Sequence, residues 1–117
     1  MRHSVKFAAL LSAGWLAACH PFDLEPLPLD VTLEADRTMA ASGDSIVFRI
    51  TAQGEALVGI GIDWGDGQTL VIPTDFARTA STRRPHTYDA PGTYEVTAEA
   101  TDAEAGSKRA SLSVHIQ

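Results

Sequence analysis

In five runs between residues 29 and 117 the apolar side chains recur at every second position, and no other property of the chain restricts its fold as much. A period of two turns one face of an extended strand inward and the other to water, whereas an amphipathic helix repeats every ~3.6 residues. Val31, Leu33 and Ala35 alternate with Asp30, Thr32 and Glu34. Past the turn residues Ser42-Gly43-Asp44, Ile46, Phe48 and Ile50 alternate with Val47, Arg49 and Thr51. Val58, Ile60, Ile62 and Trp64 form a third inward set against Gly59, Gly61 and Asp63. Tyr94, Val96, Ala98 and Ala100 form a fourth, and Ala110, Leu112, Val114 and Ile116 a fifth. Strands that each bury one side assemble into two sheets packed face to face, so the expected class is all-β and the architecture a sandwich. Between residues 69 and 87 the pattern weakens. Short edge strands are expected there, because proline cannot donate to a central ladder and Pro73 and Pro85 suit an edge. Asp66-Gly67, with glycine on both sides of the aspartate, predicts a two-residue hairpin turn; Pro91-Gly92 and Ala105-Gly106 predict further turns.

Ahead of this stretch, Arg2, His3 and Lys6 precede an apolar run over residues 7–18 that is too short to span a ~30 Å hydrocarbon core as a helix. Residues 1–18 read as a signal peptide. The run ends in Leu16-Ala17-Ala18-Cys19, which holds the only cysteine of the chain. These four residues resemble the lipobox of bacterial lipoproteins. The resemblance implies that the Cys19 thiol is joined to diacylglycerol by a thioether and that the new amino terminus is acylated, as with palmitate. Two or more acyl chains give stable anchoring at ~0.8 kcal/mol per buried methylene. In that family a residue other than Asp after the cysteine, here His20, implies the outer membrane. Residues 19–28 carry prolines at 21, 26 and 28 and read as a short stiff tether. The sandwich domain is expected over residues 29–117.

The whole chain carries a formal net charge of −6. Without residues 1–18, seven Lys or Arg face fifteen Asp or Glu, a net charge of −8. A polyanion binder needs a concentrated basic patch, so nucleic acid is excluded as an expected partner. With Cys19 committed to lipid no disulfide can form, and the apolar core alone must hold the domain, which its length permits.

Two segments carry a further family likeness: Ile62-Asp63-Trp64-Gly65-Asp66-Gly67-Gln68-Thr69, and Pro85-His86-Thr87-Tyr88-Asp89-Ala90-Pro91-Gly92-Thr93-Tyr94-Glu95-Val96-Thr97. Together they resemble the PKD domain. The resemblance implies an immunoglobulin-like β-sandwich of about seven strands, a non-catalytic module of bacterial surface proteins and secreted hydrolases. The chain departs from the family pattern at Ile62, where a tryptophan is common, and residues 73–84 match no family feature. The residues agree with a structural role for the motif. Asp63 faces outward between Ile62 and Trp64, free to accept amide hydrogens of the Gly65-Asp66-Gly67 turn. Tyr94, after Pro91-Gly92, suits a tyrosine corner. His86 is expected to pack beside Tyr88.

Asp63 and Asp66, with Asp89, form the alternative of a calcium site. Turn capping is preferred to it, because the alternating oxygen ligands of an EF-hand-like loop are missing. Two histidines, His86 and His115, are too few for a zinc centre, and no Gly-x-Ser-x-Gly elbow is present, so neither a cofactor nor an enzyme activity is expected. Arg83 and Arg84, a basic pair in an acidic domain, and Phe76, an aromatic in a polar stretch, are the candidates for partner contact. The expected function is that of a cell-envelope lipoprotein whose single domain binds an envelope protein or glycan without chemistry. The alternative is a structural spacer or accessory subunit of an envelope complex, pairing through an edge strand.

Overall fold

The computed structural model describes residues 27–117, and the expected signal peptide, Cys19 and most of the tether lie outside the described residues. Six strands follow in order: β1 (Asp30–Ala35), β2 (Met39–Ala40), β3 (Ser45–Asp63), β4 (Thr69–Thr87), β5 (Gly92–Asp102) and β6 (Gly106–Ile116). No helix occurs among the described residues.

Two of the strands, β3 and β4, are 19 residues long, several times the common ~5–6. Each bends and serves both layers. The first half of β3, from Ser45 to Gln53, lies between β1 and the second half of β4, whereas its second half, from Leu57 to Asp63, lies between the first half of β4 and β5. One layer is therefore β1, early β3 and late β4. The other is early β4, late β3, β5, β6 and β2, with β2 parallel to β6. β1 packs across the interior against β5 and β6 without pairing with them. The all-β, immunoglobulin-like sandwich stands as expected; counting the halves of β3 and β4 separately brackets the seven or so strands of that architecture.

The inner faces interlock Val31, Ile46, Phe48, Ile50 and Ala52 of the first layer with Leu57, Ile60, Ile62, Val96, Ala98, Ala100, Val114 and Ile116 of the second. At ~1.5–3 kcal/mol for each large side chain fully buried, this core is the main stabilising term.

Two expectations fail at the bends. Val58 was expected inside but is exposed, and Leu57 is fully buried in its place. Register shifts between Gln53 and Leu57 and between Leu57 and Gly59 change which face a given position occupies. Residues 69–87 form one continuous strand rather than several short ones. It is an edge as expected, pairing with β3 alone. Its alternation is hidden because Leu70, Ile72, Ala77, Ala80 and Thr82 are only half-buried, and because two extra residues near Thr74–Phe76 interrupt the period.

Candidate functional site

The two motif segments meet at one end of the sandwich. Trp64 leaves the end of β3 as a buried residue, with its ring 5.1 Å from that of Phe48 and stacked at 4.3 Å and 4° on His86, which enters from late β4. His86 meets Tyr88 edge-on at 4.7 Å, and Tyr88 stacks on Tyr94 at 4.3 Å. Five rings thus form a continuous column, the geometry in which aromatic quadrupoles attract.

The polar atoms along the column are held by bonds within it. Asp63 Oδ1 accepts the Gly65 amide at 2.9 Å, and Asp66 Oδ1 accepts the Gln68 amide at 3.0 Å. His86 Nε2 donates to Asp66 Oδ2 at 2.7 Å. Partial burial pushes the Asp66 carboxyl up, but the His86 hydrogen bond, the Gln68 amide and the His86 charge outweigh it and hold the group below the usual carboxylate range. The Tyr88 hydroxyl donates to the Trp64 carbonyl at 2.7 Å, and burial, helped by the negative charge of Asp66, pushes that phenol well up. The Tyr94 hydroxyl donates to the Ala90 carbonyl four residues back at 2.7 Å, which closes the expected tyrosine corner around Pro91 and Gly92.

The loop at residues 64–68 is five residues long, not the two-residue hairpin expected from Asp66-Gly67. Gly65 and Gly67 have φ of 84° and 92°, and a Cβ on Gly65 would lie 2.5 Å from the Glu95 carbonyl oxygen, so glycine is required there on both counts. Asp63 and Asp66 share this loop, each capping it. Asp89 is exposed, and no group of three or more His, Cys, Asp or Glu is gathered for a metal among the described residues.

The three candidate contact residues do not form one patch. Phe76 is 65% exposed at the β4 irregularity, where Asp75 and Phe76 take φ of 51° and 60°. Arg83 lies roughly 20 Å further along the strand by its spacing. It pairs across to Arg49 on the outer face, and Arg84, opposite Phe48, projects from the other side of the strand.

One residue of consequence escaped the sequence reading. Asp102 is 3% exposed, the one buried charged side chain among the described residues. Its Oδ1 accepts the Ala56 amide at 2.6 Å and its Oδ2 accepts those of Glu104 and Ala105 at 3.0 Å each. The Ala56 amide does most to hold its carboxyl below the usual range, with the Glu104 and Ala105 amides adding to it against some desolvation. The signal was present: Asp102 continues the inward positions Tyr94, Val96, Ala98 and Ala100, and a carboxylate on an apolar face must be satisfied by the backbone.

Comparison with known proteins agrees with this geometry. Residues 30–116 match the PKD domain. The chain belongs to the PKD domain family. It is similar to the PKD domain of an M14-like peptidase from Thermoplasmatales archaeon SCGC AB-540-F20, at 23% identity over 79% of this chain and 98% of that one, with a TM-score of 0.67. It is also similar to the PKD domain of the human VPS10 domain-containing receptor SorCS2, at 22% identity over 79% of this chain and 74% of that one, with a TM-score of 0.53. A structure described for the promiscuous specificity of carbohydrate-binding modules of the β-sandwich superfamily aligns over 80% of this chain and 36% of that one, at 18% identity and a TM-score of 0.63. No curated protein sequence matches the chain. PKD domains are generally non-catalytic modules, and the aspartate-aromatic column is the framework of such a module.

Proposed function

We propose that this PKD domain is displayed by a lipid anchor at Cys19 on the bacterial cell envelope, at the outer membrane, and works by holding an envelope protein or glycan. The observation that carries the non-catalytic reading is the occupancy of the column. His86 and Asp66 bond to each other, and the hydroxyls of Tyr88 and Tyr94 bond to backbone carbonyls, so the polar groups of the column are engaged in holding the loop and the corner. The fold likeness to a carbohydrate-binding module supports a glycan among the candidates.

The envelope half of the proposal rests on Leu16-Ala17-Ala18-Cys19 and the basic residues ahead of it. Feeding cells an alkyne fatty acid tests it: wild-type chain takes up label, and a Cys19→Ser chain labelled equally well ends the lipoprotein reading. Pull-down from solubilised envelopes tests the binding half, where recovery of neither glycan nor protein overturns it. A second reading, an accessory subunit joined through a sheet edge, is favoured by β4, whose 19 residues pair with β3 alone. One stoichiometric protein, retained after mutation of the sheet faces, is the result that selects it.

A further inference from the structure

We propose that the outer face of the second layer holds one ring of a neutral, hydroxyl-rich glycan in a slot floored by Gly61. The proposal deepens the binding-module reading above and rests on it. Val71, Gly61, Glu99 and Arg109 lie in one row across β4, β3, β5 and β6. In the middle of that row the side chain is missing. A glycine inside a central strand weakens it, and such a glycine commonly marks a bulge or a place where something approaches the backbone closely. Internal causes account for the neighbouring Gly59, where a Cβ would lie 3.2 Å from the Ile72 carbonyl oxygen. They do not account for Gly61: a Cβ there would meet nothing within 4 Å, it pairs in regular register on both sides, and its φ is not positive. The gap opens outward into a groove of about 270 Å³ whose walls include Val71, Asp63, Thr97, Glu99 and Arg109. The larger groove on the first layer, of about 340 Å³, has no such gap, because Val47 and Arg49 of β3 fill its floor.

The walls select the occupant. Val71, 74% exposed, and the Cα methylene of Gly61 beside it offer an apolar strip to C–H groups. Facing it, the carboxylates of Asp63 and Glu99 accept hydroxyl hydrogens, and the Arg109 guanidinium, bonded to Glu99 at 2.7 Å, donates. A protein interface core would need more apolar and aromatic surface than one valine supplies. The acidic chain repels a polyanion. A pyranose ring, apolar on its faces and polar on its rim, fits both walls. The volume lies just under the ~300 Å³ at which drug-sized pockets begin, which suits a single ring.

The test uses the full chain in mild detergent, titrated calorimetrically with cellohexaose, laminarihexaose and hexa-N-acetylchitohexaose. At least one sugar is expected to bind. Gly61→Val fills the slot with a strand-favouring side chain, and is expected to weaken that binding at least about tenfold, close to 1.4 kcal/mol, with the melting temperature unchanged or raised. Val71→Glu, at an exposed position that cannot disturb the core, is expected to weaken it as well. A Gly61→Val chain that binds as wild type overturns the slot and leaves the binding-module reading standing. A panel with no binding overturns the sugar assignment, and the envelope pull-down then decides separately whether the module holds a protein.

Discussion

Asp102 Oδ1 occupies the space that a side chain on Gly54 would need: a Cβ built there lies 2.6 Å from that oxygen and 3.2 Å from Leu57 Cδ2. The carboxylate cannot swing aside, because both its oxygens accept backbone amides on two separate segments, at Ala56 and at Glu104 and Ala105. This contact locks the bend of β3 to the β5–β6 hairpin. Gly54→Ala should therefore cost about 1–3 kcal/mol, the usual range for overpacking a tight site. Urea unfolding of the two proteins measures it, and equal midpoints would show that the bend is held elsewhere.

Acid should unfold the domain partly through the same residue. Asp102 and Asp66 both have folded pKa values below the unfolded aspartate value of about 3.9. A depressed carboxyl contributes stability that is fully present above its unfolded pKa and is lost as pH falls through the folded one. The melting temperature is expected to be flat on this account above about pH 5 and to decline below about pH 4. Asp102→Asn removes its share, so its melting temperature should start lower at neutral pH and fall less on acidification. Parallel curves for the two proteins would exclude Asp102 from the acid transition.

The parts of this fold that the sequence made legible are those where one residue's environment is set by its neighbours in the chain. Val96, Ala98 and Ala100 could only face inward together, and Asp63 could cap its own loop because the amide it accepts is two residues away. What stayed hidden depends on distant partners. The face exchanged between Leu57 and Val58 follows from a register shift against β4 and β5, which no local pattern encodes. The length of β4 was hidden because an edge strand buries little and shows weak periodicity. Within the site, the order of motif residues foretold the loop cap and the tyrosine corner. It did not foretell that His86 would lie flat between Trp64 and the rest of the column, since that contact joins residues 22 positions apart.

The Tyr88 hydroxyl is a single bond between β4's exit and the end of β3, and its removal is measurable in two ways. Tyr88→Phe keeps the ring stack but leaves the Trp64 carbonyl without its donor, a loss of about 1–2 kcal/mol for a buried acceptor. The alkaline limb should change too. The folded pKa of Tyr88 is raised above the unfolded value near ~10, so its contribution is complete below that pH and is lost as pH rises toward the folded value. Wild type should lose melting temperature above about pH 10 more steeply than Tyr88→Phe. Identical alkaline limbs would mean that the phenol is not held protonated by the fold.

Gly65 and Gly67 separate two reasons for glycine that the sequence alone cannot distinguish. Both have positive φ, at 84° and 92°, so alanine at either meets the left-handed penalty of about 1–2 kcal/mol. At Gly67 nothing lies within 4 Å of the added carbon, and the backbone penalty is the whole expected effect. At Gly65 the carbon would lie 2.5 Å from the Glu95 carbonyl oxygen and 3.1 Å from its nitrogen, backbone atoms of the β5 strand that cannot rotate away as a side chain would. The loop would have to lift from β5, loosening Trp64 and the Asp66–His86 pair with it. Gly65→Ala should then be destabilised beyond Gly67→Ala by at least about 1 kcal/mol, with a red shift in tryptophan emission that Gly67→Ala lacks. Equal losses in denaturant titration would mean that the loop does not rest on β5 in solution.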